Sequence, residues 1–88
     1  MRLDLYLARS RLVPRRSKAS EACRLGLVLR NGRRAKPGET VQPGDELVIF
    51  FNDRTATVEI TRLPEHNTRK SEARFCYRLI EEKPVDLD

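Results

Sequence analysis

Residues 15–32 read RRSKASEACRLGLVLRNG, and they contain the signals for a helix, a helix end, a strand and a turn in succession. We predict a helix from Arg16 or Ser17 to Arg24, with Ser17 as its N-cap. The apolar stripe of this helix consists of small residues, namely Ala19, Ala22 and Cys23. Small side chains let two helices approach closely, so this helix is expected to pack tightly on another.

The end of this stretch predicts the start of a sheet. Gly26 is suited to the left-handed conformation that ends many helices. Leu27–Arg30 then has the composition of a strand, and Asn31-Gly32 is a strong signal for a two-residue hairpin turn. Upstream, the apolar spacing of residues 3–7 predicts the partner helix, from about Leu3 to Arg11.

Downstream of the hairpin, the pattern predicts further strands. Thr40 and Val41 form at most a short bridge, Glu46–Phe51 is a third strand and Thr55–Leu63 is a fourth. The final segment is predicted to contain a short polar helix, Thr68–Arg74. Residues 75–80 either extend this helix or form a closing strand, and their apolar alternation favours the strand. The aromatic residues fall in apolar patterns and are interpreted as core residues, not as a surface for stacking bases: Tyr6, Phe50, Phe51, Phe75 and Tyr77.

Charge is divided unevenly along the chain. Residues 1–36 hold eleven Lys and Arg against two acids, a net charge of +9, whereas the remaining residues have a net charge of −4. A basic half of this kind predicts a polyanionic partner, most commonly nucleic acid. The acidic half is expected to face away from that partner.

The composition disfavours several other classes of protein. Cys23 and Cys76 are interpreted as core thiols in a reducing compartment, and with His66 as the sole histidine no metal site is expected. The apolar runs are far shorter than the roughly 20 residues of a membrane helix, which predicts a cytoplasmic protein without membrane attachment. No phosphate loop or catalytic triad is recognisable, so we expect neither a cofactor nor enzymatic activity.

Four motifs occur in an order and spacing that resemble the S4 RNA-binding domain. They are Arg2-Leu3-Asp4, Arg16-x-x-Ala19, Gly26-x-Val28-x-x-Asn31-Gly32 and Val41-x-x-Gly44-Asp45. The resemblance implies an α+β fold of the alpha-L type, with two packed N-terminal helices on a small curved, mostly antiparallel sheet of four to five strands. The resemblance spans residues 2–49, and from the whole chain we predict a domain core at 1–63, a C-terminal extension packed on it at 64–82 and a flexible tail at 83–88.

Because the domain fills nearly the whole chain, the resemblance narrows to two groups of stand-alone S4 proteins. One group, the heat-shock type, would recycle stalled large ribosomal subunits. The other stabilises P-site tRNA in ribosome-associated quality control, and the start of this chain and its tail Leu79–Lys83 resemble it more. That group implies a monomer that binds large-subunit rRNA and peptidyl-tRNA beside a factor that tails the stalled chain. A detached RNA-binding domain of an RNA-modifying enzyme and a DNA-binding module are the alternatives.

The candidate phosphate contacts lie at the two predicted helix starts and after the hairpin, where they are expected to line one groove. They are Arg2, Arg15, Arg16, Ser17, Lys18, Arg33, Arg34 and Lys36. Free N–H groups at a helix start favour anions, and the planar guanidinium binds phosphate through two hydrogen bonds.

Asp4, the pair Arg15 and Arg16, and Arg30 need separate interpretation. Asp4 is read as a helix-start residue that orients a nearby arginine and not as a catalytic acid. The sequence leaves open whether Arg15 or Arg16 makes the main contact. It also leaves open whether Arg30 reaches RNA or caps the sheet edge.

Overall fold

Two helices precede a five-stranded antiparallel sheet in the computed structural model, which describes residues 1–85. The elements are α1 (Leu3–Arg9), α2 (Arg16–Arg24), β1 (Val28–Arg30), β2 (Arg33–Arg34), β3 (Glu46–Phe50), β4 (Arg54–Ile60), α3 (Lys70–Ala73), a 3₁₀ turn (Arg74–Cys76) and β5 (Tyr77–Pro84). The strand order is β2-β1-β3-β4-β5, and every neighbouring pair is antiparallel. The predicted α+β fold is confirmed.

The two N-terminal helices pack through the residues that the sequence indicates. Leu3, Tyr6 and Leu7 of α1 are fully buried, and α2 contributes the small side chains Ala19 and Cys23 to the same core. The predicted range of α2 is confirmed, but the end of α1 and the cap of α2 differ from the prediction. Helix α1 ends two residues early, and Arg11 beyond it has a left-handed φ of +64°. The predicted Ser17 cap is wrong, because α2 begins one residue before it and no side chain caps its start.

The predicted hairpin is confirmed at Asn31 and Gly32. Their φ angles are +50° and +84°, as a two-residue type I′ turn requires. Asp45, the residue before β3, holds this turn in place. Its carboxylate accepts hydrogen bonds from Arg30 Nε at 2.9 Å, from Asn31 Nδ2 at 3.1 Å and from the backbone N–H of Gln42 at 3.0 Å.

These contacts show where the Arg30 side chain goes. Its guanidinium forms ion pairs with Asp45 and, at 3.6 Å, with Glu39, and it is only 27% exposed. Burial disfavours the charge on Asp45, but the bonds from Arg30, Asn31 and the Gln42 N–H hold the pKa of Asp45 below its usual value. The guanidinium of Arg30 is therefore committed to carboxylates at the end of β1, which is an interior strand of the sheet.

The C-terminal strand is longer than predicted. It begins at Tyr77 and continues to Pro84, so Lys83 and Pro84, assigned from the sequence to a flexible tail, pair with β4. Residues 86–88 of that tail lie outside the described part of the chain. The hydroxyl of Tyr6 donates to the carbonyl of Cys76 at 2.7 Å, which ties the extension to α1. The division into a core at 1–63 and an extension at 64–82 stays a prediction.

The interpretation of the aromatic residues as core is only partly correct. Tyr6 is fully buried, and Phe51 and Tyr77 are partly buried against the core. Phe50 and Phe75 are instead 40% and 54% exposed. Phe75 lies in the 3₁₀ turn, whose buried residue is Cys76.

Candidate nucleic-acid interface

One buried carboxylate joins the starts of both N-terminal helices. Asp4 is 3% exposed, and Arg2 donates to its two oxygens through Nε and Nη2, each at 3.1 Å. Arg16 Nε lies 3.7 Å from the same carboxylate. The backbone N–H of Leu5 donates to it at 2.8 Å. We call Arg2, Asp4 and Arg16 the Asp4 clamp.

The charges of the clamp are mutually stabilising. Burial alone would raise the pKa of Asp4, but the hydrogen bond from Arg2, the Leu5 N–H and the charge of Arg16 outweigh it and lower that pKa. The Arg2 and Arg16 side chains remain 54% and 51% exposed. Each arginine uses only part of its guanidinium on Asp4, so other N–H donors stay available to a phosphate. The clamp therefore presents two ordered cations with a net positive charge.

The two helix starts differ in what their backbones can offer an anion. The N–H groups of Leu3 and Asp4 already donate to the carbonyls of Glu39 and Pro37, at 2.8 and 3.0 Å. The start of α1 is thus occupied by the loop at 37–40, and these bonds fix the position of Arg2. At α2 the first-turn N–H groups of residues 16–18 bond no backbone carbonyl within residues 1–85. An anion beside Arg16 could accept hydrogen bonds from them.

The other candidates at α2 surround this start. Arg15 occupies the N-cap position, is exposed, and makes no ion pair with any described residue. Ser17 is exposed and caps nothing. Lys18 lies 3.8 Å from Glu21, a surface pair one turn along the helix. Of the two arginines that the sequence leaves unresolved, Arg16 is the one the structure joins to Arg2.

The residues after the hairpin are not all brought to one groove. Arg34 donates to the carbonyl of Arg24 and packs on Gly26, so it closes the C-terminal end of α2. Arg33 is its neighbour on a strand, and consecutive strand residues project to opposite faces. Lys36 lines a groove with Arg24 and Arg34. Arg33 therefore does not line that groove with Arg34, and Arg24 is a lining residue that the motif did not single out.

Sequence reasoning identified the clamp residues but not their arrangement. Asp4 was expected to orient one neighbouring arginine, and it contacts two, from different helices. The second contact is invisible to sequence spacing because it depends on the packing angle of α2 on α1.

In the part of the chain described, no His, Cys, Asp and Glu side chains cluster as metal ligands. No helix there has the length and apolar character needed to cross a membrane.

Comparison with known proteins gives a consistent set of similarities. Residues 1–47 match the family model described as the S4 domain. A Halalkalibacterium halodurans protein described as an RQC P-site tRNA stabilizing factor is 47% identical over 97% of this chain and 96% of its own. A Bacillus subtilis protein with the same description is 40% identical over 97% and 98%. A solved structure, of trimeric Vibrio cholerae Heat Shock Protein 15, aligns with a TM-score of 0.82 and 31% identity over 90% of this chain and 80% of that chain.

Proposed function

Because the chain belongs to the S4 domain family, we propose that it is an RNA-binding factor of ribosome-associated quality control. It binds the large ribosomal subunit and stabilises P-site peptidyl-tRNA while untemplated residues are added to the stalled nascent chain. The observation that carries this proposal is identity of 40–47% over nearly the full length of relatives described as P-site tRNA stabilizing factors. Similarity that extends beyond residue 47 includes the C-terminal extension as well as the RNA-binding domain.

The Asp4 clamp suggests how such a factor would act without catalysis. Asp4 holds Arg2 and Arg16 in place before RNA arrives, so less side-chain entropy is lost when they bind a phosphate. Two guanidiniums at a fixed spacing recognise the RNA backbone and not its sequence. The protein then works as a positional element that neutralises phosphates and slows the movement of the tRNA. It needs no cofactor and acts in the cytoplasm beside the tailing factor, as a monomer.

The remaining candidates would widen this contact. Arg15, Ser17 and Lys18 surround the unbonded N–H groups at the start of α2. Arg33 and Lys36 are exposed and make no ion pair with a described residue. Arg34 contributes charge while it also closes the end of α2. We assign these side chains supporting phosphate contacts and give the main contact to Arg16 with Arg2.

The function can be tested on purified large subunits that carry a peptidyl-tRNA and are supplied with the tailing factor. We expect that adding this protein lengthens the residence time of the P-site tRNA and the untemplated tails. The measurements are the fraction of labelled tRNA retained over time and the tail length on a gel. Residence times and tails that do not change on addition of the protein would refute the proposal.

A heat-shock-type recycling factor is the second candidate, because the solved Heat Shock Protein 15 structure shares the fold at 31% identity. It would bind the same particle but promote release of the peptidyl-tRNA instead of its retention. In the same experiment, recycling predicts that the subunit loses its peptidyl-tRNA sooner when the protein is present. The sign of the change in tRNA residence time therefore separates the two candidates.

A further inference from the structure

A second basic surface lies in the C-terminal extension, within the half of the chain that is acidic on average. Residues 61–78 carry five Lys and Arg against two Glu. The exposed side chains around α3 form what we call the extension patch: Arg69, Lys70, Arg74 and Phe75. The acidic excess of the second half therefore lies in other segments. Residues 61–78 have a net positive charge, as a nucleic-acid contact requires.

The cations of the extension patch are not neutralised by the fold. Within residues 1–85, Arg69, Lys70 and Arg74 make no ion pair, whereas Arg54 and Arg78 on the neighbouring strands each pair with an acid. Glu65 and Glu72, the two acids of the segment, line a separate hollow. Lys70 and Arg74 are four residues apart, so they share one face of the helical turn. The patch is a concentrated positive charge that an external anion can reach.

An exposed aromatic ring accompanies this charge. Phe75 is 54% exposed, and the guanidinium of Arg74 lies 4.9 Å from its ring centre. Its backbone is held firmly, because the Phe75 carbonyl accepts a hydrogen bond from Thr61 Oγ1 at 2.8 Å and the next residue, Cys76, is buried. An aromatic ring beside arginine is the combination on which unpaired bases stack.

The contacts between the extension and α1 lie away from the Asp4 clamp. The clamp is built at the first turn, whereas the last residue, Arg9, has Nη2 3.1 Å from Nδ1 of His66 in the extension. A seven-residue helix is about 10 Å long. One RNA element contacting the clamp would leave the extension patch free for another.

We propose that the extension patch is a second RNA-contacting surface and that it binds the P-site tRNA, with an unpaired tRNA base stacked on Phe75. This inference rests on the proposed function, which requires contacts with two RNAs, the subunit rRNA and the tRNA. The clamp carries only backbone-directed cations and suits folded rRNA. The loops of a tRNA present unpaired bases, which an exposed ring can recognise.

The test compares the double variant Arg74→Ala/Phe75→Ala with the control Lys83→Ala/Ile80→Ala. Each double variant removes one cation and one exposed apolar side chain, and Ile80 is 43% exposed on β5. Affinity is measured for large subunits with P-site tRNA, for vacant large subunits, and for free tRNA. We expect Arg74→Ala/Phe75→Ala to bind tRNA-carrying subunits and free tRNA roughly tenfold more weakly, and vacant subunits within about twofold of the wild type.

Other outcomes would overturn the inference. Equal losses on vacant and tRNA-carrying subunits would place the extension patch on rRNA. Unchanged binding in every arm, or the same loss in the control, would remove Phe75 and Arg74 from any specific RNA contact. Failure of the wild type to bind any subunit would refute the proposed function, and the free-tRNA arm would still decide the role of the patch.

Discussion

The variant Arg2→Ala/Arg16→Ala should bind the large ribosomal subunit on the order of 100-fold more weakly than the wild type at physiological salt. Each arginine donates charge-assisted hydrogen bonds, for which about 1.5–3 kcal/mol apiece is typical. Asp4 presents the two guanidiniums together, so their losses are expected to couple. The measurement is co-sedimentation or fluorescence titration with purified subunits.

Two controls separate this loss of binding from a loss of structure. Asp4 would be left buried with only the Leu5 N–H as a partner, so the triple variant that adds Asp4→Asn removes its charge as well. Arg78→Ala removes one cation from the edge strand β5, where Arg78 pairs with Glu59, and leaves the clamp intact. Circular dichroism should show a folded protein in each case. Wild-type affinity in the triple variant, or an equal loss in Arg78→Ala, would exclude the clamp from the site.

The variant Asp45→Ala should lower the free energy of unfolding by about 3 kcal/mol, because it leaves the partly buried Arg30 with only the longer pair to Glu39 and removes the acceptor of three hydrogen bonds. Arg30 and Asn31 would lose their shared acceptor at once, and the hairpin turn would lose its fixed position. A domain of this size should then melt roughly 10–20 °C lower. Thermal unfolding followed by circular dichroism measures the change. The control Glu59→Ala breaks an exposed pair and should cost less than about 1 kcal/mol.

The contribution of Asp45 should also depend on pH. Its pKa is lowered in the folded protein from an ordinary value of 3.8, so the folded state favours the ionised form. The stabilisation is therefore fully present above that ordinary value and is lost as the pH falls through the folded pKa. The difference in unfolding free energy between wild type and Asp45→Ala should accordingly shrink in acid. A difference that stayed constant down to pH 2 would contradict the ion-pair explanation.

Local signals in the sequence were sufficient for most of the fold. The positive φ at Gly26, Asn31 and Gly32 follows from residue types that tolerate the left-handed region, so the helix end and hairpin could be placed within one or two residues. The predicted cap at Ser17 failed because Arg15 adopts the extended N-cap conformation and the helix begins at Arg16. Boundaries of this kind depend on tertiary packing.

Long-range contacts explain what the sequence could not supply. Asp45 lies fifteen residues from Arg30, so no periodicity joins them, although sheet pairing brings them within 2.9 Å. Phe75 fits an apolar alternation and was assigned to the core, but in the 3₁₀ turn Cys76 is the buried residue and Phe75 is exposed. The candidate arginines were recognisable from charge alone. Only the structure shows which arginines belong to the clamp, which one holds the end of β1 and which one closes the end of α2.

The salt dependence of subunit binding tests whether the Asp4 clamp binds RNA phosphates. Each phosphate contact to an RNA helix adds roughly 0.9 to the slope of log affinity against log salt concentration, through release of counterions. We expect Arg2→Ala/Arg16→Ala to reduce the slope by about two relative to the wild type, with Arg78→Ala unchanged. A double variant that binds more weakly but keeps the wild-type slope would show that the two arginines of the clamp do not contact the RNA backbone.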